Sequence, residues 1–164
     1  MSVRKLTRLS LLTAIALIIF VIELRIPDIV PIPGVKLGLA NIVTVYALYH
    51  YSPKETLMIL SVRILLGSIF GGNISAIIYS ISGALLCFCG MLLLRRIIDK
   101  KYIWLCSTIG AVLHNTGQII TAVIIMKSTA VLSYYPFLIV AGCIAGAFTG
   151  LCSQILIARI NNDL

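Results

Sequence analysis

The sequence predicts an all-α integral membrane protein, a bundle of six transmembrane helices that forms a single domain over residues 1–164. Of the 164 residues, 60% are hydrophobic and only 11% are charged, and the mean hydropathy is +1.11. Soluble domains have about 45–50% apolar and about 25% charged residues. Because so few polar side chains could not cover a water-soluble fold, the composition excludes a soluble enzyme, a disordered tail and a small secreted disulfide scaffold.

Apolar runs in the first half of the chain predict three helices, at Leu6–Leu24, Leu37–Tyr49 and from Ser52 to Phe70. No small-residue cleavage site follows the first run, so we expect an uncleaved helix rather than a signal peptide. The second run is shorter than the roughly 20 residues that a crossing helix needs, so it is either a short or a tilted span. The loop that precedes this second run is rich in proline, which disfavours helix formation. For the third helix, Ser52 and Glu55 predict a capping box around Pro53.

Three further helices are predicted at about Ile74–Leu94 and Tyr102–Met126, and from Pro136 to about Ala158. Along the last of them glycine recurs every four residues, at Gly142, Gly146 and Gly150. Small residues at this spacing let helix backbones approach each other closely in a membrane. We therefore expect the sixth helix to pack tightly against a neighbour.

The Lys and Arg residues predict a multi-pass cell-membrane protein with both termini in the cytoplasm. With the N-terminus inside, nine basic residues lie on the inner side, at positions 4, 5, 8, 54, 95, 96, 100, 101 and 159, and three on the outer side, at positions 25, 36 and 127. Cytoplasmic loops carry such an excess. The alternative is a five-span protein without the short second segment. The net charge of +8 is explained by these flanking residues, so we expect contact with membrane lipid and no nucleic-acid partner.

Arg63 is the most informative polar residue, since it lies inside the third predicted helix, eleven positions after Ser52 and eight before Gly71. A rise of 1.5 Å per residue places it about 12 Å from the outer end of that helix. Insertion scales put the cost of such an arginine at about 2.5–3.5 kcal/mol. We expect Arg63 to face a polar cavity or an anionic ligand. The alternative is an internal ion pair or carbonyl contact that holds helices together.

A cluster of polar residues on the fifth predicted helix is the second candidate. His114 and Gln118 are four residues apart and share a face, with Asn115 beside them and Thr121 further along. A polar stripe on a membrane helix either lines a site or forms hydrogen bonds with neighbouring helices. Both interpretations stay open at this point.

Further polar residues fall in the same outward half of the predicted bundle, around the ends of the first, second and fourth helices, with Glu23 among them. The short second helix beside a proline-rich loop points to the same place, because irregular backbone at membrane depth occurs around cavities. Together they suggest an outward-facing pocket. The candidate substrate-binding residues are Lys36, Asn41, Arg63, Asn73, Tyr79, His114, Asn115 and Gln118.

Motifs for enzymatic chemistry are missing from the sequence. It has no GxxxxGK[ST] loop for ATP and no DDxxD motif to hold Mg²⁺ on a diphosphate. Its five acids are scattered, and Cys87 and Cys89 are two residues apart, which points them to different faces of a helix. We therefore expect no catalytic residue, no metal site and no cofactor.

Several segments together resemble one membrane family across nearly the whole chain. They are residues 31–42 (PIPGVKLGLANI), 63–67 (RILLG), 70–72 (FGG), 79–83 (YSISG) and the HNxxQ pattern at 114–118. The resemblance is to the heptaprenyl diphosphate synthase component I family, also called Gx transporter proteins, which is similar to the substrate-binding S components of energy-coupling factor (ECF) vitamin transporters.

The resemblance implies a six-helix substrate binder that works with a transmembrane coupling subunit and two cytoplasmic ATPases. It also implies a pocket on the outer side, covered by the first loop, here Pro27 to Lys36. Many S components dock the coupling subunit through an Ala-xxx-Ala ridge in their first helix, for which this chain has Ser10 and Ala14.

The leading hypothesis is thus a non-enzymatic uptake subunit for a small vitamin- or isoprenoid-like molecule. The alternatives are an accessory membrane subunit of polyprenyl diphosphate synthesis and a structural membrane scaffold whose polar residues only join helices.

Overall fold

The computed structural model describes residues 2–26, 38–72 and 76–162. These residues form six α-helices, as the sequence predicts. The helices are α1 (Val3–Glu23), α2 (Asn41–His50), α3 (Pro53–Phe70), α4 (Ala76–Leu94), α5 (Ile103–Met126) and α6 (Tyr135–Asn162). Short 3₁₀ segments, Lys100–Tyr102 and Thr129–Tyr134, precede α5 and α6.

The capping box predicted for α3 is confirmed. The Ser52 side chain accepts a hydrogen bond from the Glu55 amide at 3.4 Å, and the Glu55 carboxylate accepts one from the Ser52 amide at 3.0 Å. Pro53 occupies the first helical turn, where the lack of an amide hydrogen has no cost. The start of α3 is therefore determined by its local sequence.

Four segments of the described residues are long and apolar enough to cross a membrane, namely Val3–Glu23, Ala76–Leu94, Lys100–Met126 and Thr129–Ile160. They identify the chain as a membrane protein. Helix α3 carries Lys54, Glu55 and Arg63, and α2 has only ten residues, or about 15 Å against a core of about 30 Å. Six helices are present, and the prediction of six complete spans stays a prediction.

Contacts between helix ends show how the helices alternate in direction. Lys5 and Glu55 form an ion pair of 2.5 Å between the first turns of α1 and α3. Arg95, just after α4, donates a hydrogen bond of 2.7 Å to the carbonyl of Leu48 in the last turn of α2. A cation at this position satisfies a carbonyl that the helix itself leaves free. Helices α1 and α3 thus start at one level, and α2 and α4 end at one level.

The glycine ridge of α6 packs against α5, which confirms the predicted close approach. A Cβ atom on Gly150 would lie 2.5 Å from the Cα of Trp104, and one on Gly146 would lie 2.7 Å from the Cα of Thr108. At Gly142 the nearest atom would be a side-chain nitrogen of α5, at 2.9 Å. Only glycine permits the backbone distances at Gly146 and Gly150, so these two residues fix how closely the two helices cross.

Helix α2 begins inside the bundle rather than at its rim. The Ser153 hydroxyl donates a hydrogen bond of 3.1 Å to the carbonyl of Ile42, in the first turn of α2. Ser153 precedes the end of α6 at Asn162 by nine residues, a distance of about 14 Å along the helix. The N-terminal end of α2 therefore lies near the middle of the bundle, where α3 carries Arg63.

Candidate functional site

Arg63 lies in the middle of α3 with 8% of its surface exposed. Its Nη1 atom donates a hydrogen bond to the Oδ1 atom of Asn41, the first residue of α2, at 3.3 Å. No carboxylate of the described residues lies within ion-pair distance of the guanidinium. A guanidinium has five N–H groups, and this is its one hydrogen bond to the described residues, so Arg63 has further donors that the described residues do not occupy.

A narrow crevice between α2, α3, α4 and α5 surrounds this arginine. Its polar walls are formed by Asn41, Thr44, Arg63 and His114, and the remaining lining residues, such as Leu60 and Ala84, are mostly apolar. The crevice has room for about 10 Å³ of solvent, which is the space of about one water molecule. The structure thus brings together three of the predicted site residues, Asn41, Arg63 and His114, around a common space.

Thr44 adds a polar group that the sequence analysis did not single out. Its side chain is 8% exposed, and the buried Oγ1 atom has no hydrogen-bond partner among the described residues. A buried hydroxyl without a partner costs about 1–3 kcal/mol. The spacing of three residues from Asn41 along α2 could have indicated this position, because residues i and i+3 share a helix face.

The position of His114 depends on a close crossing of α4 and α5 at Gly83. A Cβ atom on Gly83 would lie 2.7 Å from the carbonyl oxygen of His114 and 3.1 Å from its Cε1 atom. On the other helix, a Cβ on Gly117 would lie 2.8 Å from the Cα of Gly83. The two glycines let the imidazole pack against α4, where it reaches the crevice.

The other predicted residues of α4 and α5 lie outside the crevice walls. Asn115 turns toward α6 and donates a hydrogen bond of 2.8 Å from Nδ2 to the carbonyl of Leu138. Gln118 packs beside Gly83, where its Cγ atom would be 3.0 Å from an added Cβ. Tyr79 packs against an apolar cluster that includes Leu138. Of the HNxxQ pattern, only the histidine therefore faces the space around Arg63.

The remaining predicted residues are distributed differently. Lys36, Asn73 and the loop Pro27 to Lys36 lie outside the described residues. Ser10 and Ala14 are exposed on α1, away from the crevice, as a ridge that contacts another subunit would have to be.

Glu23, at the end of α1, organises the approach to α2. Its carboxylate accepts hydrogen bonds from the amides of Gly38 at 2.5 Å and Leu39 at 3.1 Å. Gly38 has a φ of +67°, a conformation that glycine adopts without steric cost. The Gly38 carbonyl in turn accepts from the amide of Asn41 at 2.8 Å. This series of contacts fixes the position of Asn41 opposite Arg63.

A family model described as heptaprenyl diphosphate synthase component I matches residues 12–156, which is most of the chain and includes every polar residue of the crevice. No curated protein and no solved structure matches the sequence.

Proposed function

The chain belongs to the heptaprenyl diphosphate synthase component I family, and we propose that it is a non-enzymatic, substrate-binding membrane subunit of an uptake transporter. In this proposal it resembles the S components of ECF transporters and binds a small anionic molecule of vitamin or isoprenoid type. A transmembrane coupling subunit and cytoplasmic ATPases supply the energy, and Ser10 and Ala14 on the exposed face of α1 contact the coupling subunit.

The observation that supports this proposal is the environment of Arg63. The residue is 8% exposed in the middle of a helix. At the centre of a transmembrane helix, an arginine raises the free energy of membrane insertion by about 2.5–3.5 kcal/mol. Its one hydrogen bond among the described residues goes to the neutral amide of Asn41. An anionic ligand would supply a counter-charge in direct contact, which no carboxylate of the described residues provides, and the planar guanidinium fork suits a carboxylate or a phosphate.

A second candidate function is an accessory membrane subunit of polyprenyl diphosphate synthesis. The description of the matching family favours it. In that role the same arginine would hold a diphosphate group at the membrane for a separate catalytic subunit. The two functions differ in what the partner does: a synthase would be stimulated by this chain, whereas a coupling subunit with ATPases would accumulate the ligand.

The test compares the molecules that co-purify with the wild-type protein, with Arg63→Gln and with Arg96→Gln, measured by native mass spectrometry. Arg96 is exposed after α4 and provides the same loss of charge away from the crevice. We expect wild type and Arg96→Gln to carry an anionic small molecule. We expect Arg63→Gln to lose it, because a charge-assisted contact contributes about 1.5–3 kcal/mol, or about ten- to a hundredfold in affinity.

Two results would contradict the proposal. If Arg63→Gln retains the molecule in full and only its melting temperature falls, then Arg63 joins helices and binds no ligand. If the wild-type chain alone, in proteoliposomes with ATP, accumulates the identified molecule, then it is a complete transporter rather than a subunit.

A further inference from the structure

A second space, distinct from the crevice, lies between α3 and α4 on the outside of the bundle. It is an apolar groove of about 180 Å³. Helix α3 contributes Leu57, Ser61 and Leu65, and α4 contributes Ile81 and Leu85, all of them exposed. The groove therefore opens on the outer surface of the helix bundle.

Leu60 and Ala84 line both the groove and the crevice. Around the axis of α3, the direction of Leu60 lies between that of Ser61, in the groove, and that of Arg63, in the crevice. On α4, Ala84 is followed by Leu85 in the groove, while the crevice residues lie further along the same helix. These two side chains, both buried, are thus the common wall between a charged space and an apolar one.

We propose that the ligand is a single-chain anionic amphiphile. Its anionic head binds Arg63 and Thr44 in the crevice, and its apolar chain passes between Leu60 and Ala84 into the groove. This inference rests on the proposed function, in which the crevice binds an anion.

Three observations support this arrangement. The crevice has space for about one water molecule, so it must widen to admit an anionic head and has no space for a chain, whereas the adjoining groove offers about 180 Å³. The Thr44 hydroxyl is buried without a partner among the described residues and supplies a further hydrogen bond for the head. The path crosses Ala84, the smaller of the two side chains of the common wall.

The test uses dodecyl phosphate as the amphiphile and inorganic phosphate as the head alone. Binding of both is measured to the protein in phosphatidylcholine nanodiscs, with empty nanodiscs as background. Ser61→Phe places a ring in the groove without changing the crevice. Val62→Phe is the matched control, since Val62 is the next residue on α3, is 43% exposed and does not line the groove.

We expect Ser61→Phe to weaken dodecyl phosphate binding about tenfold. This is the loss expected when about two methylene groups of the chain are no longer buried in the groove. Its binding of inorganic phosphate should match wild type, and Val62→Phe should bind both probes like wild type. Ser61→Leu, a smaller change, should give an intermediate loss, and melting curves confirm that each variant is folded.

If Ser61→Phe and Val62→Phe bind dodecyl phosphate equally well, the proposal that the ligand is an amphiphile is wrong. If in that case Arg63→Gln still loses binding, the anion site of the proposed function is retained. If Ser61→Phe loses dodecyl phosphate binding and Arg63→Gln does not, then Arg63 does not bind the anionic head and the proposed anion site is wrong. If phosphatidylglycerol, a two-chain anionic lipid, displaces dodecyl phosphate when it replaces part of the phosphatidylcholine, the single-chain assignment is wrong.

Discussion

Replacing Thr44 by valine should stabilise the ligand-free protein and weaken ligand binding at the same time. The two side chains have nearly the same shape, so the change removes a hydroxyl and leaves the packing between α2 and its neighbours almost unchanged. In the structure this hydroxyl is buried and has no hydrogen-bond partner among the described residues. The cost of burying it is therefore present in the folded state with no compensating bond from the described residues.

The magnitude follows from that cost. An unsatisfied buried hydroxyl destabilises a fold by about 1–3 kcal/mol, so Thr44→Val should raise the free energy of unfolding by about that amount. In the complex proposed above, the hydroxyl donates a hydrogen bond to the anion. A hydrogen bond to a charged group contributes about 1.5–3 kcal/mol, so the variant should bind about ten- to a hundredfold more weakly.

The assay is reversible unfolding of the detergent-solubilised protein in mixed micelles, together with dodecyl phosphate binding in nanodiscs. Thr149→Val is the matched control. Thr149 is also buried, at 2% exposure, but its hydroxyl donates to the carbonyl of Ala145 at 2.9 Å and lies 3.3 Å from the Ser107 hydroxyl. The same substitution there should destabilise the protein by about 0.5–1.5 kcal/mol and leave binding unchanged.

The two variants are expected to change the free energy of unfolding in opposite directions, so comparing them tests the prediction directly. If Thr44→Val lowers the free energy of unfolding as Thr149→Val does, then the hydroxyl has a partner in the folded protein. If stability rises but binding is unchanged, then the hydroxyl does not contact the ligand.

Two further predictions concern the scaffold around the site. Gly150→Ala should lower stability by about 1–3 kcal/mol, because the new Cβ would lie 2.5 Å from the Cα of Trp104; an unchanged melting temperature would show that α5 and α6 pack less closely. Arg95→Gln should cost about 1 kcal/mol, because it weakens the hydrogen bond to the carbonyl of Leu48, whereas Arg96→Gln should melt like wild type. Equal melting temperatures for the two arginine variants would show that Arg95 does not stabilise the end of α2.

Much of the fold was predictable because its determinants are local. Apolar runs of helical length locate the helices, and the capping box at Ser52 marks the start of α3 to the residue. The glycine spacing on α6 predicts a close crossing because it places a strip of backbone on one face. It does not tell which helix fills that strip, and the structure assigns α5.

The site was predictable only in part. Arg63 is conspicuous in the sequence because its charge conflicts with the apolar run around it. Its partner Asn41 is 22 residues away, and nothing local to either residue relates them. Asn115 and His114 are neighbours in the sequence, yet one bonds to α6 and the other reaches the crevice.

The sequence by itself therefore determined the class of protein, the helices and the presence of a buried charge, since hydropathy, capping and periodicity act within a few turns of chain. The tertiary structure alone decided that α2 starts at mid-depth and that Asn41, Thr44, Arg63 and His114 share a crevice. The physical reason is that helices in a membrane can rotate and slide against one another with little change in apolar burial. Their register is set by close backbone crossings, as at Gly83 and Gly150, and by single hydrogen bonds between distant residues.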